Sequence, residues 1–118
     1  MLASIEEQIR KEGFANLGDH FSMCRNGRTY TICEYGTGSQ KMIEITGITY
    51  IRLLTGEERE SLANRAFTDR RRRLESVSVG DRTSLVLSIH LSETEDIGLA
   101  EQIKEVEDTL QGLEREVS

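Results

Sequence analysis

The sequence predicts an α+β fold. It is a mainly antiparallel sheet of about four strands with helices packed on one face, in the order α-β-β-β-α-β-α. Three observations predict it. Asn26-Gly27 lies between two alternating runs, the pattern of a two-residue hairpin. Lys41 to Leu54 and Ser84 to Leu91 are rich in β-branched and apolar residues and read as strands. Three further segments carry apolar residues at helical spacing behind capping residues. A length of 118 residues fits one domain, 1–118, with one modest core.

The first helix is expected over Ala3–Glu12. Leu2, Ile5 and Ile9 share a face, Ser4 and Glu7 form a capping box, and Gly13 ends it. Phe14 and Leu17 should tuck the following loop onto the core. In the hairpin, Arg25 and Arg28 flank the turn, so Met23 faces Tyr30 and Phe21 faces Ile32. These four form an apolar face, with His20, Ser22, Cys24, Thr29, Thr31 and Cys33 on the other. Gly36-Thr37-Gly38-Ser39 reads as a loop. Gly47 breaks the alternation of the next strand and predicts a bulge or bend. Thr55 and Glu58 form a second capping box. The helix behind it should run from about Gly56 to Glu75, with Leu62, Ala63, Ala66, Phe67, Leu74 and Val77 on or near its buried stripe. Val79-Gly80-Asp81 turns the chain into a central strand. The last helix should span about Glu95–Glu116, capped by Ser92 or Thr94.

That last helix, 95–117, is acidic and amphipathic. Leu99, Ile103, Val106, Leu110, Leu113 and Val117 repeat with the 4-3 spacing of a coiled-coil seam. A helix packed on its own sheet uses a similar stripe, so the seam is a candidate dimerisation element and equally a candidate core. The flanking positions contain acids and no bases, which suits an arginine-bearing surface or an antiparallel partner better than a parallel copy. Gly112 inside this helix costs about 1 kcal/mol relative to Ala.

The net charge of −6 is unevenly distributed. Glu93–Ser118 holds nine acids and two bases, whereas the rest of the chain is nearly neutral. Twelve of the fifteen bases are arginine, and four stand together as Arg70-Arg71-Arg72-Arg73. Read at a helix C-terminus beside Arg65, they have three uses: a solvated cationic end that complements the helix dipole, a contact with the acidic C-terminal helix, or phosphate binding. The absence of Pro argues against Pro-rich ligand motifs. The N-terminus is not a signal peptide, and no apolar run is long enough to span a bilayer. A cytoplasmic protein with no membrane partner is the expectation.

Chemistry-bearing patterns are sparse. His20 and Cys33 would stand opposite each other on the polar hairpin face, where an imidazole could activate a thiol. Nothing supplies an oxyanion hole or an orienting third residue, and a plain polar face accounts for both. Two Cys and two His without ligand spacing do not make a zinc site. Gly36-Thr37-Gly38-Ser39 lacks the GxxxxGK[ST] of a phosphate loop. Paired acids such as Glu57-Glu58 fall at helix starts, where they complement the dipole. No catalytic residue, metal or cofactor is expected. The sequence therefore points to a small, acidic, non-enzymatic protein-binding module: an adaptor, chaperone-like factor or inhibitor, acting as a homodimer. Its partner site would be Arg65 and Arg70–Arg73, and its oligomer interface the six seam residues. The alternative is a nucleic-acid- or phosphate-binding regulator that uses the same arginines.

Overall fold

The structure is a computed structural model that describes residues 2–37, 41–65, 71–92 and 98–117. Its elements are α1 (Leu2–Lys11), β1 (Ala15–Asn16), β2 (Phe21–Arg25), β3 (Arg28–Tyr35), β4 (Met42–Arg52), α2 (Gly56–Arg65), β5 (Arg72–Val79), β6 (Arg82–Ser92) and α3 (Leu99–Glu116). The six strands form one antiparallel sheet in the order β1-β2-β3-β4-β6-β5. The class is α+β, but the expected count of about four strands is corrected to six.

One added strand, β1, is only two residues long and blunts one edge of the sheet. The other, β5, overturns the long central helix. The helix is described over Gly56–Arg65, and Arg72–Val79 is extended. Leu74 and Val77 are three apart and fit a helical stripe. The competing pattern is period two: Arg72, Leu74, Ser76 and Ser78 are half-buried, while Arg73, Glu75, Val77 and Val79 are exposed. Antiparallel pairing with β6 stabilises the second pattern. Of the expected helical stripe, Leu62 is buried and Ala63 is exposed, while Ala66 and Phe67 lie outside the described residues.

The hairpin forms in the expected register. Asn26 and Gly27 both have positive φ, 54° and 75°, as a type I′ turn requires. Phe21 pairs with Ile32 and Met23 with Tyr30, and all four are buried. Gly47 corrects a second expectation, because β4 runs through it without a bulge, paired with Tyr30 on one side and Leu87 on the other. The reason for glycine is close approach. A Cβ there would lie 2.9 Å from Leu110 Cδ1 and would also overlap Val106. Helix α3 presses directly on the strand at this point.

The core lies between the sheet and α3, which crosses β4 and β6. Ile43, Ile45, Leu85, Leu87 and Ile89 meet Leu99, Ile103, Val106 and Leu110, all nearly inaccessible. Helix α1 packs against α3 through this layer, burying Ile5 and Ile9. Phe14 is buried, but Leu17 stays exposed, contrary to expectation. Helix α2 sits beside β5 and buries Leu62. Its capping box forms reciprocally: Glu58 N–H donates to Thr55 Oγ1 (3.1 Å), and Thr55 N–H donates to Glu58 Oε1 (3.0 Å).

The cap of α3 differs from expectation. Ser92 is the last residue of β6 and Thr94 lies outside the described residues. The helix starts at Leu99, and Gly98 at its N-cap has no side chain to offer. Instead, the Leu99 N–H donates to Gln8 Oε1 of α1 at 3.0 Å. A neighbouring helix supplies the missing acceptor.

Candidate functional site

The arginine run does not form one patch. A strand sends successive side chains to opposite faces. Arg72 turns to the helix-bearing face and forms an ion pair with Glu105 of α3. Arg73 turns to the other face and pairs along its own strand with Glu75 at 2.9 Å, both side chains largely exposed. Arg71 precedes the strand, and its carbonyl accepts the His90 N–H at 2.8 Å. Arg65 is the last residue of α2, and Arg70 lies outside the described residues. The reading of a cationic helix end is therefore withdrawn. Part of the run meets the acidic C-terminal helix within the same chain.

The six seam residues also turn inward. Leu99, Ile103, Val106, Leu110 and Val117 are buried in this chain's own core, and Leu113 packs against it. An interface built from them would require α3 to leave the sheet. Acids beside the seam meet the hairpin. Arg28 donates to Glu114 through Nε (2.8 Å) and Nη2 (2.7 Å), and Thr49 Oγ1 donates to the same carboxylate at 2.7 Å. The Arg28 guanidinium holds the Glu114 carboxyl below its ordinary range.

His20 and Cys33 do not act on one another. His20 Nδ1 lies 2.6 Å from Asp19, whose carboxyl it holds below its ordinary value. Cys33 instead lies 3.9 Å from Glu44 Oε1. Burial pushes the Cys33 thiol up, and the Glu44 charge adds to this. Both effects oppose the thiolate that nucleophilic chemistry needs. Glu44 also accepts from Thr46 (3.3 Å) and lies 3.6 Å from His90, whose ring meets the Tyr35 hydroxyl at 2.7 Å. This is a hydrogen-bonded polar strip on the helix-free face of the sheet. Among the described residues, no group of three His, Cys, Asp or Glu could hold a metal ion. Among them too, no helix is long and apolar enough to cross a membrane.

What the structure does bring together is the sheet face opposite α3. The register places Ile48 against Val86, Tyr50 against Ser84, and Ser84 against Val77. Ile48 and Val86 are half-buried, whereas Tyr50 is 56% exposed, Val77 50% and Val79 69%. Tyr50 and Val77 thus lie on the same face on either side of Ser84, with Val79 farther along β5. Strand β5 is an edge strand with a described partner on one side only. Sequence reasoning missed these residues because Val77 was placed on a helix. The alternation in Ser76-Val77-Ser78-Val79 was the available signal. Comparison with protein-family models, with curated proteins and with solved structures finds no match to this chain.

Proposed function

We propose that this chain is a non-enzymatic protein-binding module, an adaptor or chaperone-like factor of the cytoplasm, that takes an extended apolar segment of a partner on its helix-free sheet face. One observation carries the reading: Val77 and Val79 stand exposed on the sheet-edge strand β5, on the same helix-free face as exposed Tyr50 of β4. An extended segment suits such a place, because alternate side chains can rest on that face while its backbone addresses the edge. The withdrawal of Cys33 from thiolate chemistry supports a binding role over a catalytic one.

The test is affinity capture from host lysate with the wild type and with Val77→Asp/Val79→Asp, each with and without nuclease. The reading expects proteins that the wild type retains, that the variant loses, and that nuclease treatment leaves in place. Retention that nuclease abolishes would transfer the function to the nucleic-acid alternative. That alternative is weaker now, because Arg72 and Arg73 point to opposite faces and each has a carboxylate partner.

A further inference from the structure

The tip of the β2–β3 hairpin carries a reactive pair. The chain has three asparagines, and Asn26 is the one followed by glycine; Leu17 and Arg65 follow Asn16 and Asn64. The backbone nitrogen after an asparagine can close a five-membered ring on that side chain's Cγ. A bulky following side chain obstructs the attack, and glycine leaves it open. The surroundings leave it open too. Asn26 and Gly27 are both exposed, and a Cβ built on Gly27 would meet nothing within 4 Å. Among the described residues, the Asn26 side chain is restrained only by donation from Nδ2 to Glu107 Oε2 at 3.5 Å, a long hydrogen bond.

We propose that Asn26 is a site of spontaneous deamidation, and that its conversion loosens the junction between the hairpin and α3. The Gly27 nitrogen bonds to Asn26 Cγ, the Cγ–Nδ2 bond breaks, and ammonia leaves with the proton from Gly27. Water then adds across one or other C–N bond of the cyclic imide. One route gives aspartate and the other isoaspartate. In a type I′ turn the Asn26–Gly27 peptide must rotate before its nitrogen reaches Cγ, so ring closure follows local opening of the turn. The products act where α3 rests on the hairpin. Aspartate replaces the amide donor with a carboxylate beside Glu107, whose Oε2 also faces the Tyr30 hydroxyl at 3.4 Å. Asn26 and Glu114 line one cleft, and Arg28 is already committed to Glu114 through two hydrogen bonds. Isoaspartate adds a backbone carbon inside a two-residue turn, which sets the register of Met23 against Tyr30. The inference stands on the chemistry of the turn and not on the binding reading. Its failure would leave the pull-down test untouched.

Incubation of the wild type in mildly alkaline buffer at physiological temperature tests the site, read by tandem mass spectrometry and by enzymatic methylation of isoaspartate. A free peptide of residues 21–32 gives the rate of the unrestrained sequence. The mass gain from exchanging ammonia for water should appear at residue 26 before Asn16 or Asn64, with isoaspartate among the products, and more slowly than in the peptide. An Asn26 that stays intact while the peptide converts fully overturns the site, as does earlier conversion at Asn16 or Asn64. Thermal unfolding of Asn26→Asp tests the consequence. Two like charges at these exposed positions should lower the melting temperature by about 1–4 °C. A Glu107→Gln background should remove that deficit, because the repelling carboxylate is gone. No deficit beside Glu107, or an undiminished one in the Glu107→Gln background, overturns the loosening.

Discussion

Replacing Glu114 with leucine should reveal how α3 is fastened to the sheet. Arg28 is 93% buried on its strand, being only 7% exposed, and its guanidinium donates twice to Glu114. Glu114→Leu removes the carboxylate and strands a charge that is nearly out of water. Breaking a fully buried pair in this way costs about 3–5 kcal/mol. The Glu114 side chain keeps 28% exposure, so solvent reaches part of the site. Water in that gap lowers the expected loss to about 2–4 kcal/mol. A domain of this size has a total stability of about 5–15 kcal/mol, so the effect is a large fraction of it. At about 4 °C per kcal/mol, the melting temperature should fall by about 8–16 °C.

Urea unfolding followed by circular dichroism measures this, since the chain has no tryptophan to report fluorescence. The decisive comparison is Arg28→Met/Glu114→Leu. Replacing both members of a buried pair with apolar residues is often neutral or stabilising, so the double variant should return to within about 1–2 kcal/mol of wild type. The unmet Thr49 hydroxyl accounts for the remainder. Acid provides a further check. The Glu114 carboxyl has a folded value below its unfolded one. Its contribution is fully present above the unfolded value near pH 4.3 and is lost as pH falls through the folded value. The gap between wild type and Glu114→Leu should therefore narrow on acidification. A single variant that loses under 1 kcal/mol, or a double that loses the sum of both singles, would refute the reasoning.

Other expectations follow from local geometry. Gly112→Ala meets open space within α3 and should stabilise the protein by about 1 kcal/mol in thermal unfolding. Gly47→Ala should instead destabilise it by about 1–3 kcal/mol in the same assay, because the added methyl overlaps Val106 and Leu110. Alkylation at neutral pH should label exposed Cys24 before Cys33, whose thiol is pushed up by burial and Glu44; faster labelling of Cys33 would restore the nucleophile reading. NMR titration should find Glu58 held down at about 2, first by its hydrogen bonds from Arg52 and then by the Thr55 N–H. Its folded value is depressed, so its contribution is present above about pH 4.3 and disappears as pH falls toward 2. Arg52→Ala should return that titration toward the ordinary carboxylate range.

Legibility from sequence followed how local the determining interaction was. Asn26-Gly27 encodes its own turn, because both positions need positive φ, and the turn sets the register of Phe21, Met23, Tyr30 and Ile32. Thr55 and Glu58 likewise satisfy one another across a single helical turn. Gly47 was legible only as an exception. Its cause is a helix some sixty residues away in sequence, and nothing near Gly47 announces Val106. Arg72–Val79 departs from the helical expectation for a related reason. Leu74 and Val77, three apart, suit a helical stripe but fall on opposite faces of a strand, and the choice falls to β6, which offers a continuous ladder from Arg82 to Ile89. Moving those residues from helix to strand divided Arg72 and Arg73 between two faces.

The C-terminal helix carries the same lesson to the level of charge. An apolar 4-3 stripe cannot distinguish a sheet from a second helix, since each asks for one apolar face. The acids beside the stripe can distinguish them. Glu107 and Glu114 sit one residue after Val106 and Leu113, flanking positions at which a parallel copy offers no base. In the fold, Glu114 meets Arg28, and Glu107 lies 3.4 Å from the Tyr30 hydroxyl, both on β3. Farther toward the N-terminal end of the helix, Glu105 meets Arg72 of β5. The sheet thus presents Arg72 to the N-terminal half of α3 and Arg28 to its C-terminal end, on strands that flank β4 and β6. Apolar burial holds the helix down without direction. The two ion pairs set where along the sheet it rests, and so bring Val106 and Leu110 over Gly47. A one-turn slip would carry both carboxylates about 5.4 Å from their arginines and set the helix against a strand with no glycine beneath it. The acidity of the segment therefore specifies its position, and much of what looked like a surplus of charge is a docking code read within one chain.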